Sequence, residues 1–186
     1  TAIGIGCGIG TEPETAKVLN HLLKEITVPL VLDADALNIL SQHPDWLLSV
    51  PKHTIITPHP KEMDRLLGET SHNRYEQLQK TIAFSKKYCI FVVLKGAYTA
   101  IVCPNGEVHF NSTGNAGMAT GGSGDVLCGM ILSLLAQGHP PCEAAVTATF
   151  LHGLAGDLAA QQHSQESLIA SDIINYIGKT FLHIHA

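Results

Sequence analysis

The chain has 186 residues, 45% hydrophobic and 15% charged, a balance that supports one folded domain and excludes a disordered segment. Its formal net charge of −5 speaks against a nucleic-acid surface, which is ordinarily basic. No apolar run reaches the roughly 20 residues that span a bilayer, and the start shows no signal-peptide pattern, so a cytoplasmic protein without a membrane partner is expected.

The chain opens on Thr1-Ala-Ile-Gly-Ile-Gly6, which reads as the end of a strand. Gly4-Ile-Gly-Cys-Gly-Ile-Gly10 is dense in glycine but does not fit GxGxxG. A tight strand-to-helix turn and a ligand contact both remain open on its spacing. Val18, Leu19, Leu22, Leu23 and Ile26 share one face of a predicted helix. The strand Leu30-Val-Leu32 then leads into Asp33-Ala-Asp35, with Asn38 nearby. Alternation would turn Asp33 and Asp35 the same way, toward the rim of the sheet or a magnesium ion. Capping the next helix is the rival role for Asp35.

Thr54–Thr57 is a further strand, followed by Thr57-Pro-His-Pro-Lys-Glu62. Its prolines stiffen the loop, and Glu62 suits the first turn of a helix over Glu62–Leu67. His59, between two prolines at a strand end, is either structural or a ligand contact. A helix over Glu76–Lys87 precedes the most apolar strand, Ile90–Leu94. That strand ends in Lys95-Gly-Ala-Tyr-Thr99, where ligands bind in open α/β sheets, although a turn with a solvated lysine is the plain alternative. Alternating strands and helices with unbroken apolar strands predict a mostly parallel sheet covered on both faces.

The period then changes. Thr99–Cys103 and Val108–Phe110 flank Pro104-Asn-Gly106 as a β-hairpin. Helices are predicted over Asp125–Gln137, Cys142–Gln162 and Ser171–Leu182, the last capped by Ser171 or Asp172. Ala144, Ala145, Ala148, Leu151 and Ala155 form a stripe that reads as core. No repeat or linker interrupts residues 1–186, so a single domain is expected. Five scattered cysteines (Cys7, Cys89, Cys103, Cys128, Cys142) without a CxxC pair read as reduced, buried thiols. Eleven histidines include no HExxH, and His183-Ile-His185 is a terminal fragment, so no structural metal is expected.

Asn115-Ala-Gly-Met-Ala-Thr-Gly-Gly-Ser-Gly-Asp-Val-Leu127 is the chemically loaded stretch. It lacks the lysine of a P-loop, yet a glycine run feeding a helix collects free N–H groups and the positive end of the helix dipole. Asp125 sits at that point. A plain N-cap is one reading. Four glycines between Gly117 and Gly124 favour another, an anion hole for a phosphoryl group beside a carboxylate that takes a proton from an attacking hydroxyl.

Gly-Cys-Gly-Ile-Gly10, Asp-Ala-Asp-Ala-Leu-Asn38, Thr-Pro-His-Pro-Lys-Glu62, Lys-Gly-Ala-Tyr-Thr99 and the loop ending at Asp125 together resemble the ADP- or ATP-dependent NAD(P)H-hydrate dehydratase family. This is a branch of the ribokinase-like superfamily, and the resemblance runs through essentially the whole chain. It implies a central sheet flanked by helices and the restoration of NADH or NADPH from hydrated forms, with ADP or ATP as co-substrate and Mg2+ as cofactor. It implies phosphorylation of the ring hydroxyl at C6, followed by departure of phosphate with a ring proton. Asp125 would be catalytic. Gly8, His59 and Asp125 match hydrate-binding positions. Lys95, Gly96, Ala97, Tyr98, Thr99 and Gly124 match nucleotide-binding ones. Asn115, Thr120, Gly121, Gly122 and Ser123 match the anion loop. Asp35, Asn38 and Glu62 match supporting positions, and Glu62 could help hold magnesium. Small-molecule substrates and a homo-oligomer are implied as partners. Relatives usually show proline where Cys7 stands, and they carry further strands and helices before the first glycine motif, so a domain short at its N-terminus is expected. A small-molecule kinase for a vitamin precursor, and a nucleotide-binding fragment without catalysis, are the competing readings.

Overall fold

Leu30 and Leu32 face one way along their strand and Val31 the other, and all three are buried. The same alternation runs across the sheet: Ile56, Val92, Leu94, Ala100 and Val102 join one core, while Ile55, Val93 and Ile101 join a second. Two apolar faces demand cover on both sides, and the helices supply it. The computed structural model describes residues 1–184. His185, in the C-terminal histidine fragment, lies outside them.

Six strands, β1 (Ile3–Ile5), β2 (Leu30–Leu32), β3 (Ile55–Ile56), β4 (Phe91–Leu94), β5 (Ala100–Val102) and β6 (Val108–Phe110), lie side by side in chain order. The first four run parallel, with Ile5 opposite Leu32, Leu32 opposite Ile56 and Ile56 opposite Val92. The last two form an antiparallel hairpin. Helices α1 (Pro13–Glu25), α2 (Ala34–Gln42), α3 (Pro60–Leu67) and α4 (Arg74–Tyr88) contribute to the first core through Leu19, Leu37, Met63 and Phe84. Helices α5 (Ser123–Ala136) and α6 (Pro141–His163) close the second through Leu127, Ile131 and the alanine stripe Ala144, Ala145 and Ala148. Helix α7 (Ala170–Ile184) packs on α6, where Ala155, Ala159, Ile173 and Tyr176 form a third cluster. Each fully buried leucine or isoleucine in these layers contributes about 1.5–3 kcal/mol. This is the expected mostly parallel sheet, flanked by helices on both faces, with a hairpin and a helical C-terminal part.

Several expectations are corrected. Val18 is 58% exposed and Leu22 37%, so the buried face of α1 is Ala16, Leu19 and Leu23, a stripe spaced three and four residues apart. Asp33 and Asp35 do not point together, because the strand ends at Leu32 and the chain turns into α2. Asp33, not Asp35, caps that helix, its Oδ1 accepting from the Ala34 N–H at 2.8 Å. Asp125 is not a cap either: Gly122, at φ 86, holds that position and Asp125 lies in the first turn. Helix α7 starts at Ala170, and Asp172 accepts from the Ile169 N–H at 3.0 Å, so it is Asp172 and not Ser171 that serves its start. The cysteines are free, but Cys7 is exposed and only Cys103 and Cys128 are buried.

Candidate active site

The carboxyl ends of β1 to β4 converge through backbone hydrogen bonds. Asp33 N donates to Ile5 O, Asp35 N to Gly6 O, Thr57 N to Leu32 O and Lys95 N to Pro58 O. Four motifs far apart in the chain therefore meet at one rim, as ligand sites do in open α/β sheets. Gly6 sits so tightly there that a β-carbon on it would lie 1.8 Å from the Asp33 carbonyl oxygen, and its φ of 140° suits glycine alone. Gly8 and Gly10 have φ of 67° and 76°. Asp35 secures this turn by accepting from the Gly10 N–H at 2.9 Å. Ala34, between the two aspartates, has φ of 47°, a conformation that alanine adopts at a cost of about 1 kcal/mol or more.

Asp33, Thr57 and Lys95 follow Leu32, Ile56 and Leu94, so alternation turns them toward α5. Lys95 Nζ lies 2.9 Å from Asp33 Oδ1. Asp33 Oδ2 faces Gly124, where a β-carbon would sit 3.8 Å from that oxygen and 3.5 Å from Lys95 Nζ. A methyl group would fit there in ordinary contact but would fill the space that glycine leaves between the ammonium group and the first turn of α5. Thr57 Oγ1 is buried under the same rim without a hydrogen-bond partner.

Helix α5 begins at Ser123 after the left-handed Gly122, so the N–H groups of its first turn lack helical partners. Asp125 stands exposed in that turn. Cys7 is exposed as a residue, yet its sulfur turns inward, within 4.8 Å of Cys128 Sγ and an Asp33 carboxylate oxygen. Burial first, then the adjacent Asp125 carboxylate, push the Cys7 thiol up to about 12. Burial and Asp33 raise Cys128 to about 11. Both sulfurs therefore stay protonated beside the carboxylates.

Some expected site residues have firm structural work. His59 caps α3: its Nδ1 accepts from the N–H groups of Lys61 and Glu62, while Glu62 Oε2 accepts from His59 N at 2.7 Å. Glu62 Oε1 faces His59 Nε2 at 3.4 Å, so holding magnesium would require Glu62 to abandon this box. His59 keeps 43% of its side chain exposed. Asn38 accepts from Arg65 Nη1 at 2.6 Å and ties α2 to α3. Asn115 Oδ1 accepts from Gly117 N and caps a short 3-10 turn over Ala116–Met118. Thr120 O accepts from Ser123 N at 3.4 Å, and Gly121 is exposed with open space around it. In the turn after β4, Thr99 closes on Gly96 through its hydroxyl, leaving Ala97 and Tyr98 exposed, Tyr98 by 74%.

Three residues that position this loop escaped the sequence reading. Asp157 on α6 accepts from Gly114 N at 2.8 Å and from Asn115 Nδ2 at 2.9 Å. His152 Nε2 donates to Ser123 O at 3.0 Å. Burial lowers His152 to about 4, and the nearby Lys95 adds to the effect. Gly153 lets α6 approach Thr113 closely. The available signal was a histidine and an aspartate in the middle of an apolar, alanine-rich helix. A cavity of about 390 Å3 bounded by Phe110, Phe150 and Phe181 lies elsewhere, against β6, α6 and α7. Its lining is mostly apolar, with His109, Asn111, Ser112 and Thr147 as the polar exceptions.

Among the described residues no helix is long and apolar enough to cross a membrane. The NAD(P)H-hydrate dehydratase family model matches residues 1–179. The ADP-dependent (S)-NAD(P)H-hydrate dehydratase of Neisseria meningitidis is 49% identical over 160 residues, covering 83% of this chain and 53% of that protein. The bifunctional NAD(P)H-hydrate repair enzyme Nnr of Moorella thermoacetica is 42% identical over 176 residues, covering 94% of this chain and 33% of that one. The crystal structure of the ADP/ATP-dependent NAD(P)H-hydrate dehydratase from Bacillus subtilis, co-crystallised with ATP/Mg2+ and soaked with CoA, superimposes with a TM-score of 0.84 at 30% identity, covering 98% of this chain and 66% of that one. The chain thus spans about a third to a half of the length of these curated relatives. With a model match over nearly its whole length and the ribokinase-like sheet beneath it, the chain belongs to the NAD(P)H-hydrate dehydratase family.

Proposed function

We propose that this chain dehydrates hydrated NADH or NADPH at the expense of ADP or ATP. The observation that carries the reading is the exposed Asp125 in the first turn of α5, next to a bare Gly124 that faces Lys95. Tyr98 and the turn Lys95–Thr99 offer the nucleotide an exposed aromatic surface and a cation. The N–H groups at Gly122–Gly124 suit the terminal phosphate. Gly8, in the turn after β1, and the part-exposed His59 are assigned to the nicotinamide ring.

The C6 hydroxyl oxygen of the hydrate attacks the terminal phosphorus, and the bond to the nucleotide's bridging oxygen breaks. Asp125 accepts the hydroxyl proton. The C6–O bond then breaks with its electron pair leaving on phosphate, and the neighbouring ring carbon gives its proton to the departing phosphate, its C–H electrons restoring the double bond. Phosphate departs far more readily than hydroxide. Asp33 Oδ2 and the Asp125 carboxylate are hard oxygen donors of the type magnesium prefers. Such an ion would offset phosphate charge during transfer. The five free thiols fit a reducing compartment, and we place the reaction in the cytoplasm.

The test mixes the chain with hydrated NADH, magnesium and either ADP or ATP, and follows the return of reduced-nicotinamide absorbance. Recovery with one nucleotide supports the reading and names its phosphoryl donor. A stable phosphate ester without recovery would make the chain a kinase, and consumption of neither substrate would leave a binding fragment.

A further inference from the structure

The β5–β6 hairpin and α6 bring together three metal-ligating side chains at the opposite end of the sheet from the glycine loop. Cys103 directly follows β5, and its N–H donates to Glu107 O at 2.9 Å, closing the hairpin turn. Ile101 is paired with His109, and residues paired across antiparallel strands point to the same face. Cys103 lies two residues beyond Ile101 and so shares that face, the one that α6 covers through Ala144, Ala145 and Ala148. Cys142 stands in the first turn of α6, directly after Pro141. Cys103 Sγ lies 3.2 Å from Cys142 Sγ, and Cys142 Sγ lies 3.7 Å from His109 Nε2. All three donor atoms fall within 4.8 Å of one another.

We propose that Cys103, His109 and Cys142 bind a soft divalent cation of the zinc class. Two sulfurs and one imidazole nitrogen form a donor set that selects such an ion over magnesium or calcium. Tetrahedral zinc, with bonds of about 2.3 Å to sulfur and about 2.0 Å to nitrogen, sets sulfur–sulfur edges near about 3.8 Å and sulfur–nitrogen edges near about 3.6 Å. The Cys142–His109 edge already fits, and the two sulfurs need to part by about half an ångström to admit the ion. Cys103 is buried, while His109 is exposed and Cys142 half-buried, so the ion has a route from solvent and water can take the fourth position. The bound ion would tie the edge strand β6 to β5 and to the start of α6. Its role is structural, since Asp125 and Lys95 lie at the other end of the strands. The site is not legible in the sequence, because His109 and Cys103 lie 33 and 39 residues before Cys142 and the three follow no metal motif.

The test uses the reduced, metal-stripped chain in a Cys7→Ser, Cys128→Ser background, so that the sulfurs near Asp33 cannot contribute. Cobalt is titrated in while thiolate-to-cobalt charge-transfer and tetrahedral ligand-field bands are recorded, and zinc is scored by the rise in thermal midpoint. One equivalent should give both signals, and Cys103→Ser, Cys142→Ser and His109→Ala should each lose the charge-transfer band or bind much more weakly. No band and no zinc-dependent rise, with both thiols shown to be reduced, would overturn the site. So would equal binding by the three variants, or a Cys103–Cys142 disulfide in the chain as purified.

Discussion

His152 on α6 donates from Nε2 to the carbonyl oxygen of Ser123, 3.0 Å away, so a buried imidazole holds the first turn of the helix that carries Asp125. Burial keeps this ring neutral by lowering it to about 4 from the ordinary 6.5. A group with a lowered value in the folded state stabilises above its unfolded value and loses that contribution as the pH falls through the folded one. The loss therefore falls between about pH 6.5 and pH 4. It amounts to about 2–3 kcal/mol by about pH 4.5. His152→Gln keeps a donor but cannot titrate. Urea denaturation at pH 7 and about pH 4.5 should show the parent losing more stability than this variant. Equal acid sensitivity would remove His152 from the account.

The ion pair of Lys95 with Asp33 joins two strand ends 62 residues apart, and the Asp33 side chain is nearly inaccessible at 2%. Removing the lysine leaves a buried carboxylate whose remaining hydrogen bond, among the described residues, is from the Ala34 N–H. Lys95→Met should cost about 2–4 kcal/mol in chemical denaturation and weaken nucleotide binding as well. Adding Asp33→Asn to that variant should recover part of the stability without recovering nucleotide affinity, because the buried charge goes but the cation is still missing. If the double variant is no more stable than Lys95→Met, the buried-charge argument fails.

How much of this was readable beforehand follows from how local each feature is. Leu30–Leu32 and Ile90–Leu94 announced themselves as buried strands because apolar runs between breakers have little else to do, and the glycine and proline motifs at their ends marked the rim. The conformation of Asp33-Ala-Asp35 did not follow from its letters, since a strand continuing through Asp35 and a helix beginning at Ala34 satisfy the same pattern. The structure chooses the second and accepts a positive φ at Ala34. His152, Asp157 and the cluster around Cys103 were out of reach for a different reason. Their meaning lies in partners 29 to 43 residues away, and only the packing of α6 against the loop and the hairpin supplies them.

Helix α6 comes unusually close to the loop at Gly153, where a β-carbon would lie 2.7 Å and 2.8 Å from the Thr113 carbonyl carbon and oxygen. Backbone cannot swing aside as a side chain can. At Gly156 the obstacle is only the flexible Met118 side chain, 2.2 Å from its sulfur. Gly153→Ala should therefore destabilise by about 1–3 kcal/mol and impair turnover by displacing residues 113–119, whereas Gly156→Ala should cost less as Met118 repacks. Thermal midpoints and steady-state rates for the pair decide it. A reversed order would show that the backbone contact at Thr113 is not the tight one.

Asp125 is exposed and lies beside the glycine N–H groups at the start of α5, whereas the cation that would meet the nucleotide is Lys95, held by Asp33. A group so placed can act on the hydroxyl without helping to bind the phosphates. Asp125→Asn preserves shape and removes the proton acceptor. Turnover of hydrated NADH should fall by about 10²–10⁴-fold, the range that a positioned acid or base contributes. Nucleotide affinity, measured calorimetrically on the same preparation, should stay within about threefold, or under about 1 kcal/mol. Any change should be a slight rise, since a negative charge has left the neighbourhood of the phosphates. Parallel loss of binding and turnover would mean that Asp125 shapes the loop and leaves proton transfer to another group. Unchanged turnover would move the chemistry away from the start of α5 altogether.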